Sequence, residues 1–221
     1  MKKTLAAVLA FGLALSSFGA LAAEGTVVVT GANRGIGLEY ARQLKAKGYT
    51  VIGTARKPGD AGDLKAVADR VEALDVADPT SVAAFAQRLD GTPVDILINN
   101  AGIFPREDVT LDKVDFDAFE RTLAVNTFGP LRVTQALMPN LRAGERKTVI
   151  GMSSGLGSIE RSNGRWYAYR SSKTALNQVN KILSEEEART RIAASQDAGE
   201  TVVFTCGCFD VLHIGHVRSL Q

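Results

Sequence analysis

The sequence predicts a doubly wound α/β fold, in which a parallel sheet is covered by helices on both faces. Three observations predict it. Five short runs rich in β-branched residues alternate with longer stretches of helical periodicity. The runs are largely continuous in apolar character, as strands buried on both faces require. The first run leads into a glycine-rich turn that opens a helix, at the sheet edge where such folds bind ligands.

In chain order, strands are expected at Thr26 to Thr30 (TVVVT), Thr50 to Ala55, Arg70 to Leu74, Asp95 to Asn99 and Lys147 to Met152. Helices are expected at Gly35 to Lys47, Pro79 to Leu89, Asp115 to Leu141 and Tyr167 to Glu187. Right-handed crossovers between parallel strands turn this alternation into a three-layer, Rossmann-type sandwich. The composition agrees: 221 residues, 45% apolar and 23% charged, describe a chain with a sizeable core. A formal net charge of +2 gives no reason to expect nucleic acid as a partner.

Before the first strand the pattern is different. Lys2 and Lys3 precede an uncharged run from Leu5 to Leu15 and small residues ending in Ala20-Leu21-Ala22, the layout of a secretory signal peptide. Residues 1–22 are therefore expected to be removed on export to the periplasm or beyond, leaving no stable membrane partner. Without those two lysines, basic and acidic residues balance at 24 each.

The residues with chemical character fall at the carboxyl ends of the expected strands. Thr30-Gly31-Ala32-Asn33-Arg34-Gly35-Ile36-Gly37 is a turn whose missing Cβ atoms let a pyrophosphate approach backbone N–H groups and the positive end of a helix. The fourth strand ends in Asn99-Asn100-Ala101-Gly102, and the fifth in Ser153-Ser154. Tyr169 and Lys173, four apart on a helix, share a face, so the ammonium can stabilise a phenolate. Tyr167, the competing tyrosine, has Ser171 at that spacing. After the second strand comes Arg56 where an NAD site places a carboxylate, and with Arg34 it favours the 2′-phosphate of NADP over NAD.

TGANRGIG, NNAG, Asn126 in AVNTFG, Ser154 and YRSSK together resemble the short-chain dehydrogenase/reductase family, and Gly25 to about Glu187 is similar to its C-factor and sniffer-like carbonyl reductase branch. The resemblance implies metal-free hydride transfer between a nicotinamide dinucleotide and a small carbonyl or alcohol. It assigns Tyr169 as proton donor, Lys173 as the group that lowers the tyrosine pKa and holds ribose, Ser154 as substrate-oxygen ligand, and Asn126 as anchor of a relay water. Cofactor contacts carry over to Gly31, Asn33, Arg34, Gly35, Ile36, Gly37 and Arg56. They continue through Asp75 and Val76 after the third strand, Asn99, Ala101 and Gly102 after the fourth, and Tyr169 and Lys173 themselves. It also implies pairing of two copies through the helices at 115–141 and 167–187, and by itself a cytoplasmic setting.

From about Ala188 the resemblance changes. Thr201 to His216 (TVVFTCGCFDVLHIGH) is similar to the opening of a cytidylyltransferase-like nucleotidyltransferase of the sugar-phosphate adenylyltransferase group, with Cys206 where relatives carry asparagine. There His213, Gly215 and His216 of the H-x-G-H motif would stabilise nucleotide phosphates. His213, His216, Cys206 and Cys208 lack a C-x-x-C pair or a second ligand set, so no metal site is expected. All six prolines lie between Pro58 and Pro139, so the family's Pro-Gly turn over the nicotinamide is not expected in this sequence. The expected organisation is a signal at 1–22, a C-terminally incomplete reductase core at 23–187, and a transferase-like fragment at 188–221 whose residues 201–206 replace a sixth strand. A nucleotidyltransferase fragment, or a composite that binds dinucleotide without turnover, is the alternative to an NADP-dependent reductase.

Overall fold

The computed structural model describes residues 24–105 and 110–195. The expectations for residues 1–22 and for 201–221, including His213, Gly215 and His216, lie outside them. Five strands form one sheet: β1 (Thr26–Val29), β2 (Thr50–Ala55), β3 (Arg70–Ala73), β4 (Ile96–Asn99) and β5 (Thr148–Gly151). Their order is β3-β2-β1-β4-β5 and every pairing is parallel. The expected doubly wound sheet is thus present, with its topological switch point between β1 and β4.

Alternation along the strands builds a core on each face. Val27 and Val29 of β1, with Ile96 and Ile98 of β4, pack under Tyr40, Ala41 and Leu44 of α1 (Gly35–Ala46). Val28 and Leu97 face the other way, against Val82, Phe85 and Leu89 from α3 (Pro79–Arg88) and its C-cap. Between these helices a short α2 (Gly62–Lys65) presses Leu64 onto the sheet. A Cβ on Gly53 would lie 2.6 Å from Leu64 Cδ1, so only glycine lets that contact form.

The single helix expected from Asp115 to Leu141 is instead four pieces. Asp115 is the N-cap of α4 (Phe116–Leu123), its Oδ1 accepting the Ala118 N–H at 3.0 Å. A π-helical turn follows at Ala124–Phe128, then α5 (Gly129–Ala136) and α6 (Met138–Ala143). Prolines are the physical reason: Pro130 and Pro139 have no N–H for the carbonyl four residues back and are tolerated in first turns. The last helix, α7 (Tyr167–Ser195), runs eight residues past its expected end.

Candidate active site

The site is built first from the turns at the carboxyl ends of β1 and β4. Gly31 has φ +63°, a left-handed conformation that glycine adopts without cost. A Cβ there would come within 2.9 Å of Ala101 Cα. Thr30 Oγ1 accepts the N–H groups of Asn100 and Ala101, each at 3.0 Å, and Asn100 Nδ2 donates to the carbonyls of Thr30 and Gly31 at 2.9 and 3.1 Å. The two turns are thereby locked together. Thr54 of β2 adds a third tie, its Oγ1 accepting the Gly31 N–H at 3.2 Å.

Over these turns lies a cleft of about 470 Å³. Gly31, Asn33 and Arg34 line it, as do Gly35, Ile36 and Gly37, the first turn of α1. The start of a twelve-residue helix therefore borders the cleft, a setting suited to an anionic phosphate. Arg56 lines it after β2, Asp75 and Val76 after β3, and Ala101 and Gly102 after β4. Among the described residues, three guanidinium groups, of Arg34, Arg56 and Arg121, border it against the one carboxylate of Asp75, whose Oδ1 accepts the Ala77 N–H at 3.0 Å. Arg121 does not stand out in the sequence; its only signal is a position four before Val125, another lining residue.

Asn99 is placed differently from the other expected contacts. It is the last residue of β4 and follows Leu97 onto the α5 face, where its Nδ2 donates to Thr134 Oγ1 at 3.0 Å. Of the two adjacent asparagines, Asn100 borders the cleft.

Beyond Gly102 the cleft adjoins the expected catalytic groups. A Cβ at Gly102 would sit 3.3 Å from Asn126 Oδ1 and 3.8 Å from Lys173 Nζ, so this glycine is the seam between nucleotide cleft and side chains. Lys173 Nζ donates to the Met152 carbonyl just past β5, at 2.7 Å, and lies 5.9 Å from the Tyr169 ring centroid. The tyrosine and lysine do share one face of α7. Tyr167 and Tyr169 both border a small hollow beside Pro105 and Asp115, and of the two it is Tyr169 whose ring the Lys173 ammonium approaches. Ser154, buried at the end of the β5 segment, accepts the Leu156 N–H through Oγ at 3.1 Å.

Asn126 sits inside the π-helical turn and is fully buried. Its Oδ1 accepts the Ile103 N–H and its Nδ2 donates to the Ile103 carbonyl, both at 2.8 Å. The second amide hydrogen goes to Ser172 Oγ at 3.0 Å, which in turn donates to the Tyr169 carbonyl at 2.8 Å. Both side-chain donors are thus used on protein. The backbone carbonyl of Asn126 is the atom that Pro130 cannot reach as a donor.

Burial dominates the electrostatics of Lys173. The residue is 5% exposed, and desolvation of its ammonium pulls the pKa down from 10.5 to about 8. At neutral pH it still carries mostly positive charge, held in a place where charge is costly.

A cleft fitted for a dinucleotide, joined to a tyrosine and lysine on one helix face, defines an α/β oxidoreductase site. Residues 25–198 match the short chain dehydrogenase family, and the chain belongs to it. It is 36% identical over 158 residues to 1-hydroxy-2-glutathionyl-2-methyl-3-butene dehydrogenase of Rhodococcus sp. (strain AD45), covering 70% of this chain and 67% of that protein. Identity with C-signal of Myxococcus xanthus is 42% over 104 residues, covering 47% of this chain and 62% of that one. Among solved structures, a short-chain dehydrogenase/reductase of Burkholderia multivorans with bound NADP matches with a TM-score of 0.67 and 33% identity, over 75% of this chain and 74% of that chain.

Proposed function

We propose that the chain is an NADP-dependent oxidoreductase that interconverts a small carbonyl compound and its alcohol. The observation that carries this reading is the seam at Gly102, which sets the nucleotide cleft against Lys173. The residues fit the cofactor: a Cβ on Gly37 would press on the Asn100 amide and lie 2.5 Å from the Gly31 carbonyl, so the cradle needs a bare backbone. Arg34 and Arg56 supply positive charge for a 2′-phosphate.

When bound, the nicotinamide supplies or accepts the hydride. In the reducing direction Tyr169 donates its hydroxyl proton to the carbonyl oxygen as the carbon gains hydride, and in the oxidising direction it takes that proton back. The Lys173 ammonium favours the phenolate and keeps the tyrosine useful near neutral pH. Ser154 holds the substrate oxygen, while Asn126 fixes the Ile103 backbone and, through Ser172, the start of α7.

The test is an NADPH titration followed by carbonyl-dependent loss of NADPH absorbance, in the parent and in Tyr169→Phe. The variant, which keeps the ring, is expected still to bind NADPH and to lose about 10²- to 10⁴-fold in turnover. Equal turnover in both proteins would remove Tyr169 from the chemistry.

A further inference from the structure

Beside Tyr169 stands an aromatic assembly that proton and hydride transfer do not use. The Phe104 ring stacks on Tyr169, with centroids 4.2 Å apart and planes inclined by 30°. It also meets Trp166 nearly perpendicular, at 5.5 Å and 84°. Phe104 follows Ile103, whose backbone Asn126 clamps on both sides, so the ring issues from a fixed point.

Trp166 is held with equal care. Its φ of +57° lies in the left-handed region, an outlier for a bulky side chain. Such conformations persist where surrounding contacts over-determine them, and they cluster at functional sites. Here the buried Arg170 supplies the contacts. Its guanidinium lies 5.9 Å from the indole centroid and donates to the carbonyls of Leu156 and Arg161 and to Asn163 Oδ1. Yet Phe104, at the centre of the assembly, is 39% exposed. The ring that stacks on Tyr169 is thus partly open to water.

We infer that Phe104 and Trp166 form an aromatic recognition wall that selects flat aryl or conjugated carbonyl compounds over small aliphatic ones. This rests on the oxidoreductase reading of Tyr169. An aryl group covering the open part of Phe104 keeps its carbonyl near Tyr169 and gains stacking that an alkyl group lacks, worth up to about tenfold in affinity.

Trp166 is the only tryptophan in the chain, so its fluorescence reports on the wall without turnover. The full chain, saturated with oxidised NADP, is titrated with acetophenone and with 2-butanone, and NADP affinity is measured separately. The comparison protein is Phe104→Leu, which keeps an apolar side chain and removes the ring face. Acetophenone is expected to quench Trp166 saturably at about tenfold lower concentration than 2-butanone. Phe104→Leu should erase that advantage while its NADP affinity stays unchanged. Equal saturation by both ketones, or the same acetophenone affinity in Phe104→Leu, overturns the wall. If NADP itself does not bind, the oxidoreductase reading fails, and acetophenone titration of the free protein still decides: saturable quenching sustains the wall and none overturns it.

Discussion

Replacing Lys173 with methionine is expected to make the protein inactive and, at neutral pH, more stable. The ammonium's pKa falls from 10.5 to about 8 because the folded chain removes it from water. At 1.36 kcal/mol per pH unit, holding that charge in place costs roughly 3 kcal/mol. Methionine keeps the stem's volume but leaves the Met152 carbonyl without its donor, a penalty of about 1–2 kcal/mol. The net gain at pH 7 is about 1 kcal/mol, or roughly 3 °C in Tm for a chain of this size. Between pH 8 and pH 10.5 the unfolded lysine keeps a proton that the folded one has released, so the parent gains stability with rising pH while the variant has no such group. The variant's advantage therefore shrinks through that window and reverses near its top. Urea midpoints of both proteins at matched pH values between 7 and 10 read the difference directly. A gap that stays constant across the series would refute burial as the cause of the lysine's behaviour.

Two further substitutions probe the cleft. Arg56→Asp is expected to weaken NADP binding by about 10- to 100-fold while leaving NAD binding equal or improved, the effect of removing one charge-assisted hydrogen bond; parallel titrations with the two dinucleotides check it, and equal weakening for both would place Arg56 away from the 2′-phosphate. Gly37→Ala forces a Cβ against the Gly31 carbonyl and the Asn100 amide; dinucleotide affinity and Tm should fall together, and an unchanged Tm would show that the turn has room to relax.

The sheet was legible because its signal is local. Runs such as TVVVT and TVIGTA are β-branched and apolar on both sides, and their spacing leaves room only for helical crossovers. The glycine turn and the Tyr169–Lys173 spacing were legible for the same reason, since each is a short-range pattern with a direct geometric meaning. The break in the 115–141 helix was hidden because apolar periodicity runs on through Pro130 and Pro139, and a proline is equally compatible with a kink or with the first turn of a new helix. Asn99 was ambiguous at the single-residue level. In a strand ending at a turn, one step of alternation decides whether a side chain meets the ligand or the layer behind the sheet. The stacking of Phe104 on Tyr169 and the approach of Arg121 to the cleft depend on how loops cross, and no spacing in the chain encodes them.

What joins the two halves of the site is a buried polar bridge. Asn126, Thr127 and Ser172 are almost completely buried, positions where apolar side chains would pack at less risk. They answer one another instead: Asn126 bonds Ser172 Oγ, and Thr127 Oγ1 donates to the Ser172 carbonyl at 2.9 Å. Ser172 immediately precedes Lys173, and Asn126 grips the residue after Gly102, so the bridge fixes the lysine and the cleft's glycine seam to one another. The π-helical turn is what makes this possible, since the extra residue in the turn shifts the register of successive side chains along the helix. An apolar substitution at Asn126 would leave the Ile103 N–H and carbonyl both unpaired, so its damage should appear in cleft geometry and catalysis alike. The buried polar bridge thus ties the helix break to the geometry of the site, and Pro130, which has no N–H to offer the Asn126 carbonyl, is part of the device.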